Sequence, residues 1–600
     1  MNIRYLRHCF SSVGLLGIVC LWGNHAVAEI INPTLSEFSK TDKHPQNLLV
    51  QALPDSNIVP EADPKPQEPL PTPTPIDEEN QPRIDAPSPE ESQPADNNRT
   101  FLVQKVEVSG NTILSDEEIN SITKTVEGKN VTLQQLGEVA DKITQLYLDK
   151  GYITSRAILV DQEVDLARGV FKIIAVEGGV ENIDIIGANR TKKSYIRSRI
   201  ELARLNPLQK SELEDQLRLL KADPVFKNIE ATLKAGSKSG QSVLVVRVTE
   251  ANAFNAAVNF DNYSSPSVGS VRYGIGAVYN NPTKSGDQFY ASYNRTTTGG
   301  ANLYDFGYRL PVNPMNGSVQ VRAAFNDYRI TDSEFASLNI EGNSELYEVN
   351  FRQPLVRSTK EEFALSLGFT HRDGQTFLDD QPQPFSIGPD EDGVSRTSVI
   401  KFGQDYVKRD PQGAWTGRSQ FSLGTGLLDA TTNSGSTPDG QFISWLGQAQ
   451  RIQRLNDDNL LIVRLDLQLT PSSLLPSEQF VIGGGQTLRG YRQNVLYGDN
   501  GVRFSVEDRI ALARNEGGIP TLQVAPFFDL GAIWNNPDNP NEFTRQKFLT
   551  SLGLGLLWEP IPGLNTRLDY AVPLVDIRDR GDNLQDDGFH FTINYTTSRF

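Results

Sequence analysis

The 600 residues carry a formal net charge of -17, an acidic balance that argues against nucleic acid as a partner. The two cysteines, Cys9 and Cys20, both lie near the N-terminus. The rest of the chain therefore has no disulfide, no thiolate metal site and no cysteine nucleophile.

Arg4 and Arg7 supply a basic start, residues 13–22 an apolar run too short to span a bilayer, and Ala26-Val27-Ala28 a small-x-small cleavage site. Residues 1–28 are expected to be a secretory signal. A lipoprotein reading centred on Cys20 is weaker, because the bulky Val19 precedes it. After Ala28 no apolar run approaches the ~20 residues of a membrane helix. An exported chain of this kind is soluble or a β-barrel, since only helices and closed barrels satisfy their backbone in lipid.

Residues 29–100 read as an N-terminal segment and linker. Residues 46–53 suit one or two helical turns. From 54 to 94 the chain holds 12 of its 35 prolines, and from 55 to 99 it has eleven acidic and three basic residues. Such a stretch is extended, solvated and unable to build a core. Reach is its expected job; a cell-wall tether or a ligand motif is the alternative.

Structured sequence opens at Phe101. FLVQKVEVSG alternates as a strand and ends at Gly110-Asn111. Ser115 with Glu118, and Thr132 with Gln135, make two capping boxes. Leu136, Val139, Ala140, Ile143 and Tyr147 fall on one helical face. Two further strands, in ITSRAILV and GVFKIIAVEG, complete a β-α-α-β-β unit over 101–178. ENIDIIGANR restarts the pattern, with Gly187 standing 77 residues after Gly110. Ser211 with Glu214 reads as another capping box, Leu213, Leu217 and Leu220 as the apolar face, and IEATLK and VLVVRVTE as the closing strands. The second unit spans 179–251. A repeated supersecondary unit argues for two copies of one α+β domain.

From Phe254 the texture changes. Helical periodicity vanishes, and sixteen alternating segments recur at about 21 residues each, which suits membrane strands of 9–11 residues and their loops. Residues 252–600 are expected to form a 16-stranded antiparallel transmembrane β-barrel surrounded by outer-membrane lipid. In strand eleven Leu461, Val463, Leu465, Leu467 and Leu469 face lipid, whereas Ile462, Arg464, Asp466 and Gln468 face a wet lumen. In strand twelve Arg503, Ser505, Glu507 and Arg509 face inward. Asp508 falls on the lipid side, a misfit that a bulge or an interfacial position would resolve. In strand thirteen Phe527, Asp529 and Gly531 face inward. With the tandem domains in the periplasm, every odd-to-even connection is external.

The sixth such connection contains residues 483–501, GGGQTLRGYRQNVLYGDNG. It is ~30 residues long where hairpin loops usually take 2–5. Leu488, Arg489 and Tyr491 sit among glycines, which suits a loop that packs against something; an ordinary exposed loop fits the spacing equally well.

Residues 101–600 resemble the two-partner secretion outer-membrane transporters, the haemolysin secretion/activation protein family. The tandem units resemble polypeptide-transport-associated (POTRA) domains, two per member. Leu488-Arg489-Gly490-Tyr491 is similar to the family's sixth-loop signature, and Phe527-Phe528-Asp529-Leu530-Gly531 to its Phe-x-Asp-x-Gly in strand thirteen. The resemblance implies that the loop folds back into the lumen and that Arg489 meets Asp529. Many members of the family also begin with a helix that plugs the pore, and no convincing plug helix is found here before Pro54. The implied function is an outer-membrane pore that recognises an unfolded, secreted exoprotein in the periplasm through its POTRA domains and passes it to the cell surface.

Nothing in the residues argues for an enzyme or a cofactor. His44, His371 and His590 are scattered without metal-ligand spacing. Gly274-Ile-Gly276, Gly424-Thr-Gly426 and Gly553-Leu-Gly555 lack the third glycine of a dinucleotide loop, and no phosphate loop appears, so no nucleotide is expected. Asp390-Glu391-Asp392 suits a solvated loop better than a calcium site. Two rivals stand beside the secretion pore. A factor that inserts other barrels or lipids is disfavoured by only two repeats, and a passive porin has no use for periplasmic domains.

Overall fold

The computed structural model describes residues 70, 84–85, 100–160, 169–333, 336–541, 547–577 and 580–597. The expected signal, residues 46–53 and nearly all of the linker lie outside the described residues.

In the first N-terminal unit, α1 (Asp116–Thr123) and α2 (Leu133–Asp149) each open on a reciprocal capping box, Ser115 with Glu118 and Thr132 with Gln135. Each box satisfies two N–H groups that a helix start leaves unpaired. α2 turns Leu136, Val139, Ala140, Ile143 and Tyr147 into one apolar cluster with Phe171 and Ile173 of the sheet. That sheet is ordered Lys105–Ser109, Val170–Val176, Arg156–Leu159. The expected opening strand is broken after Leu102, and Thr100–Leu102 pairs instead with Asn130–Thr132 just ahead of α2.

The second unit repeats the plan with α3 (Lys193–Ile200) and α4 (Lys210–Lys221) over the strands Gly179–Ile186, Phe226–Ala235 and Gln241–Glu250. The capping box expected at Ser211 is not formed. Gln209 is the N-cap, already extended at φ -103 and ψ 113, and its side chain accepts from the Glu212 N–H. Glu214 faces Lys210 and Arg218 one turn away in either direction. α3 was not legible, because KSYIRSRI interleaves its three buried apolar and aromatic residues with basic ones.

The glycines of the two copies do the same work. Gly110 (φ 81) and Gly187 (φ 91) turn where a Cβ would come 2.5 Å from the Ala175 carbonyl oxygen and 2.2 Å from that of Val248. A glutamate at the end of each unit's sheet reaches back to the segment just after that glycine. Glu177 accepts from the Thr112 and Ile113 N–H groups at 2.6 and 2.9 Å. Glu250 accepts from those of Arg190 and Thr191 at 3.0 and 2.7 Å. Ile84–Asp85 adds as a short parallel strand to the outer edge of Phe226–Ala235, opposite Ala231 and Thr232.

Sixteen antiparallel strands then close into a barrel. Strands one to eight are Phe254–Asp261, Arg272–Asn280, Gln288–Thr296, Ala301–Pro311, Ser318–Arg329, Ile340–Arg357, Glu361–Leu378 and Val394–Asp410. Strands nine to sixteen are Gly413–Thr425, Ile443–Arg454, Asn459–Leu469, Asn500–Arg514, Pro520–Trp534, Phe548–Ile561, Leu564–Pro573 and Phe589–Thr596. All sixteen expected segments are found in order. Strands six to eight run to 17 or 18 residues, longer than a bilayer needs, so they stand out beyond it. Asp508 receives the Asn459 side-chain amide at 2.9 Å. The ladder to strand thirteen skips Asp508 and Arg509 but resumes in the same register at Ile510, so a hydrogen bond, not a bulge, accompanies this carboxylate.

The second N-terminal unit sits on the turns that join even to odd strands. Asn281 donates to Thr191 Oγ1 at 2.9 Å, the Lys192 N–H to the Lys284 carbonyl at 2.9 Å, and Thr359 to Asp215 at 2.9 Å. The sixth odd-to-even connection, 470–499, therefore opens at the far end of the barrel. Among the described residues no helix is long and apolar enough to cross a membrane; the strands cross it.

Candidate functional site in the barrel lumen

Loop 6 is not spread over the surface. Phe480–Ile482 pairs with Leu496–Gly498 as a narrow antiparallel stem, and Gly483, Gly484 and Gly490 take positive φ angles of 110, 103 and 89 to turn the tip. The stem and tip pack inside the barrel, where Leu488 is 0 %, Tyr491 1 % and Arg489 6 % exposed. Phe480, Ile482, Leu488 and Tyr491 join Ile533 and Leu549 of the wall in one apolar cluster. The wall is shaped for this. A Cβ on Gly501 would lie 2.1 Å from the Phe480 ring, and one on Gly531 would press on Ile482 and Leu488 at 3.1 Å.

The apolar seat aims one cation at the wall. Arg489 donates from Nε and Nη2 to the two oxygens of Asp529 at 2.7 and 2.8 Å, and its backbone N–H reaches the same carboxylate at 3.2 Å. Two parallel bonds between a fork and a carboxylate fix orientation as well as distance. Nη1 donates to Glu507, and the guanidinium lies 3.3 Å from the centroid of the Phe527 ring. Gly553 opposite Phe527 makes room for that ring, since a Cβ there would lie 2.3 Å from its Cζ. Gly490 leaves its N–H to donate to His590 Nε2 at 3.1 Å. The Tyr491 hydroxyl lies 2.8 and 2.9 Å from the carbonyls of Thr550 and Val575.

The pair belongs to a larger cluster. Arg567 donates to Glu507 at 2.7 Å and to Asp569 at 2.7 and 2.9 Å, Arg509 donates to Glu507 at 2.7 Å, and Ser505 donates to Asp529 at 2.6 Å. Three arginines (Arg489, Arg509, Arg567) thus face three carboxylates (Glu507, Asp529, Asp569). Charges this far from bulk water persist only when paired and hydrogen-bonded.

Of the residues singled out in the sequence, Leu488, Arg489, Gly490, Tyr491, Phe527, Asp529, Gly531 and Glu507 meet in this one place. Arg503 does not join them; it pairs across the strand with Asp466 at 2.7 Å. Arg567, Asp569, His590 and Ser505 were not singled out for the site. Strand parity in NTRLDYAV places Arg567 and Asp569 inward, but nothing in that segment says which loop meets them. Among the described residues no group of histidine, cysteine and carboxylate side chains is placed to hold a metal ion.

Residues 240–557, more than half of the chain, match the family described as haemolysin secretion/activation protein ShlB/FhaC/HecB, and residues 101–178 match the ShlB-type POTRA domain. The chain is 25% identical over 504 residues to the outer membrane transporter CdiB of Escherichia coli, covering 82% of this chain and 80% of that one. It is 23% identical over 498 residues to the heme/hemopexin transporter protein HuxB of Haemophilus influenzae (strain 86-028NP), covering 80% and 85%. The solved structure of CdiB from Escherichia coli superposes with a TM-score of 0.64 at 21% identity, over 85% of this chain and 92% of that one. A sixteen-stranded barrel, POTRA-type units on its periplasmic face and a match across the barrel lead to one assignment: the chain belongs to the haemolysin secretion/activation protein family, the outer-membrane transporters of two-partner secretion.

Proposed function

We propose that the chain exports an unfolded exoprotein without catalysing a reaction on it, and that capture is by strand addition to the second POTRA sheet. The exoprotein crosses the outer membrane through the barrel. The units that act are taken as 101–178 and 179–251 for capture and 252–600 for passage. The observation that carries the capture step is the edge Phe226–Ala235, which already holds an extended segment, Ile84–Asp85, through its main chain. An edge that takes one strand through backbone groups takes another in the same way, with main chain giving affinity and alternate side chains giving selectivity. The polypeptide then meets loop 6, so Arg489, Asp529 and Glu507 act as the fastening of a lid inside the pore. Neither nucleotide nor nucleic acid has a part in this reading, and the lipid contact is that of the barrel wall.

Two experiments test it. Deletion of the gene is expected to remove one large protein from the secretome and to leave other outer-membrane barrels in place; a general loss of barrels would favour an assembly factor. A photo-crosslinking residue at the exposed Thr232 is expected to trap that secreted protein in the periplasm. Trapping from Ile158 of the first unit but not from Thr232 would move capture to the other sheet.

A further inference from the structure

The ladder that closes the barrel is the shortest between neighbouring barrel strands among the described residues: strand one meets strand sixteen only over 257–261 against 592–596. Where the ladder ends, a side chain continues it. Asn262 Nδ2 donates to the Phe589 carbonyl at 2.9 Å, its Oδ1 accepts from the Phe591 N–H at 2.8 Å, and its own N–H donates to the Phe591 carbonyl at 3.2 Å. A carboxamide carries both a donor and an acceptor, so one buried side chain can stand in for the missing strand neighbour.

Gln585 lies in the loop joining strands fifteen and sixteen and is fully buried. Its Nε2 donates to the Asn262 carbonyl, and to that of Ser264 at 2.8 Å. Its Oε1 accepts from the Gln493 N–H of loop 6 at 2.8 Å. Beside it Asp586 takes the Arg492 guanidinium of loop 6 at 2.9 and 3.0 Å. Gly485 of the loop tip approaches the Tyr263 ring so closely that a Cβ would lie 2.2 Å from Cε1. One glutamine therefore touches loop 6 with its oxygen and the end of strand one with its nitrogen.

We propose that Gln585 and Asn262 make closure of the seam between strands one and sixteen, at its outer rim, conditional on loop 6 being docked. Both are positioning residues for transport, distinct from the Arg489 cluster deeper in the lumen. When loop 6 leaves, the buried Gln585 oxygen loses its donor and the loop carrying it loses the Arg492 pair. Water entering the vacated space then competes for the Gln585 amide, and the loop that carries it, no longer held from the lumen side, releases Asn262 and Ser264. A polypeptide that displaces loop 6 thereby loosens the adjacent wall and widens the mouth through which it leaves.

The test uses the full-length protein in membrane vesicles with a cysteine pair at the register partners Phe260 and Ile593 (F260C/I593C) across the seam. A control pair, V321C/V349C, joins register partners on strands five and six. Disulfide yield after brief oxidation is the readout, and protease protection reports whether loop 6 is docked. R489A, which frees loop 6, is expected to lower the seam yield and leave the control unchanged. Q585E still accepts from Gln493 but cannot donate to Asn262 or Ser264. It is expected to lower the seam yield while loop 6 stays protected, the open-to-closed ratio rising about fivefold per hydrogen bond lost. On the R489A background Q585E is expected to add nothing. Should R489A fail to insert, R492A replaces it and is read in the same way. Loop 6 release with an unchanged seam, or effects of Q585E and loop release that multiply, would overturn the proposal.

Discussion

The second POTRA unit and the lumen beneath loop 6 are both closely packed, but of opposite materials. The first buries Ile196, Ile200, Leu208, Leu213, Leu217 and Leu220 with the apolar face of its sheet. The second buries Arg489, Glu507, Asp529 and Asp569, with the half-buried Arg567 beside them, on an apolar seat. Hydrophobic burial is non-directional and roughly proportional to area, so the POTRA core tolerates a change of shape at nearly constant volume. A buried charge cluster is directional and counted, so one missing partner strands another. The first kind of core suits a domain that must persist; the second suits a lid held firmly in one position and released as a unit.

The largest expected effect comes from breaking the charged core. Removing one partner of a buried ion pair costs about 3–5 kcal/mol, less where lumenal water relieves it. R489A leaves Asp529 with Ser505 as its remaining side-chain donor, whereas D529A leaves Arg489 held by Glu507. Both are expected to impair secretion and expose loop 6 to protease, R489A the more, and the double mutant is expected to be little worse than R489A alone. Additive losses, or a harmless D529A, would show that Arg489 acts on its own.

The apolar core gives the contrasting case. L217A in α4 removes a fully buried side chain, at a cost of about 2–5 kcal/mol. It is expected to unfold the second POTRA unit and abolish secretion while the barrel remains heat-modifiable on gels. The comparison sharpens with conservative changes. L217M keeps the volume and is expected to cost less than about 1.5 kcal/mol. R489K keeps the charge but loses the fork that binds both Asp529 oxygens, and is expected to behave almost as R489A. If R489K secretes normally, charge alone holds the loop.

What the sequence disclosed divides along the same line. Apolar periodicity is local, so the core faces of α2 and α4, the sixteen strands and the inward residues of strands eleven to thirteen were legible from spacing. α3 escaped because its buried Tyr195, Ile196 and Ile200 lie among lysine and arginine. The charged core is a matter of register between distant segments. Parity put Glu507 inside the barrel, and the same alternation runs through Arg567 and Asp569, but no local pattern distinguishes Arg503, which pairs with its strand neighbour Asp466, from Glu507, which holds loop 6. The Arg489–Asp529 meeting was anticipated through family resemblance, and Gln585 and Asn262 carried no signal at all.

A smaller effect is expected where the POTRA unit meets the barrel. Burial alone would raise the Glu250 carboxyl, but hydrogen bonds from the Thr191 hydroxyl and from the Arg190 and Thr191 N–H groups hold it below the usual glutamate range. A depressed carboxylate contributes stability above its unfolded value of about 4.3, and that contribution is lost as pH falls through the lower folded value. E250Q is expected to cost no more than about 1 kcal/mol and to flatten the acid limb of the urea midpoint against pH. An unchanged acid limb would assign the junction's strength to the Asn281 and Lys192 contacts instead.

The smallest effect is expected from the linker. In extended polyproline form, at ~3.1 Å each, its 41 residues would reach on the order of 130 Å, and Ile84–Asp85 pair with the POTRA edge as a short parallel strand. Backbone pairing asks only for residues that are not proline, so scrambling 54–94 with a proline-free pair kept at 84–85 is expected to leave secretion near normal. I84P, which deletes one N–H, separates the two parts the linker can play. If the linker strand and the exoprotein share the Phe226–Ala235 edge, I84P raises photo-crosslinking of the exoprotein at Thr232 with little change in total export. An unchanged yield means that they use different edges. A large defect from scrambling means that a side-chain motif, and not length and solvation, is what the linker contributes.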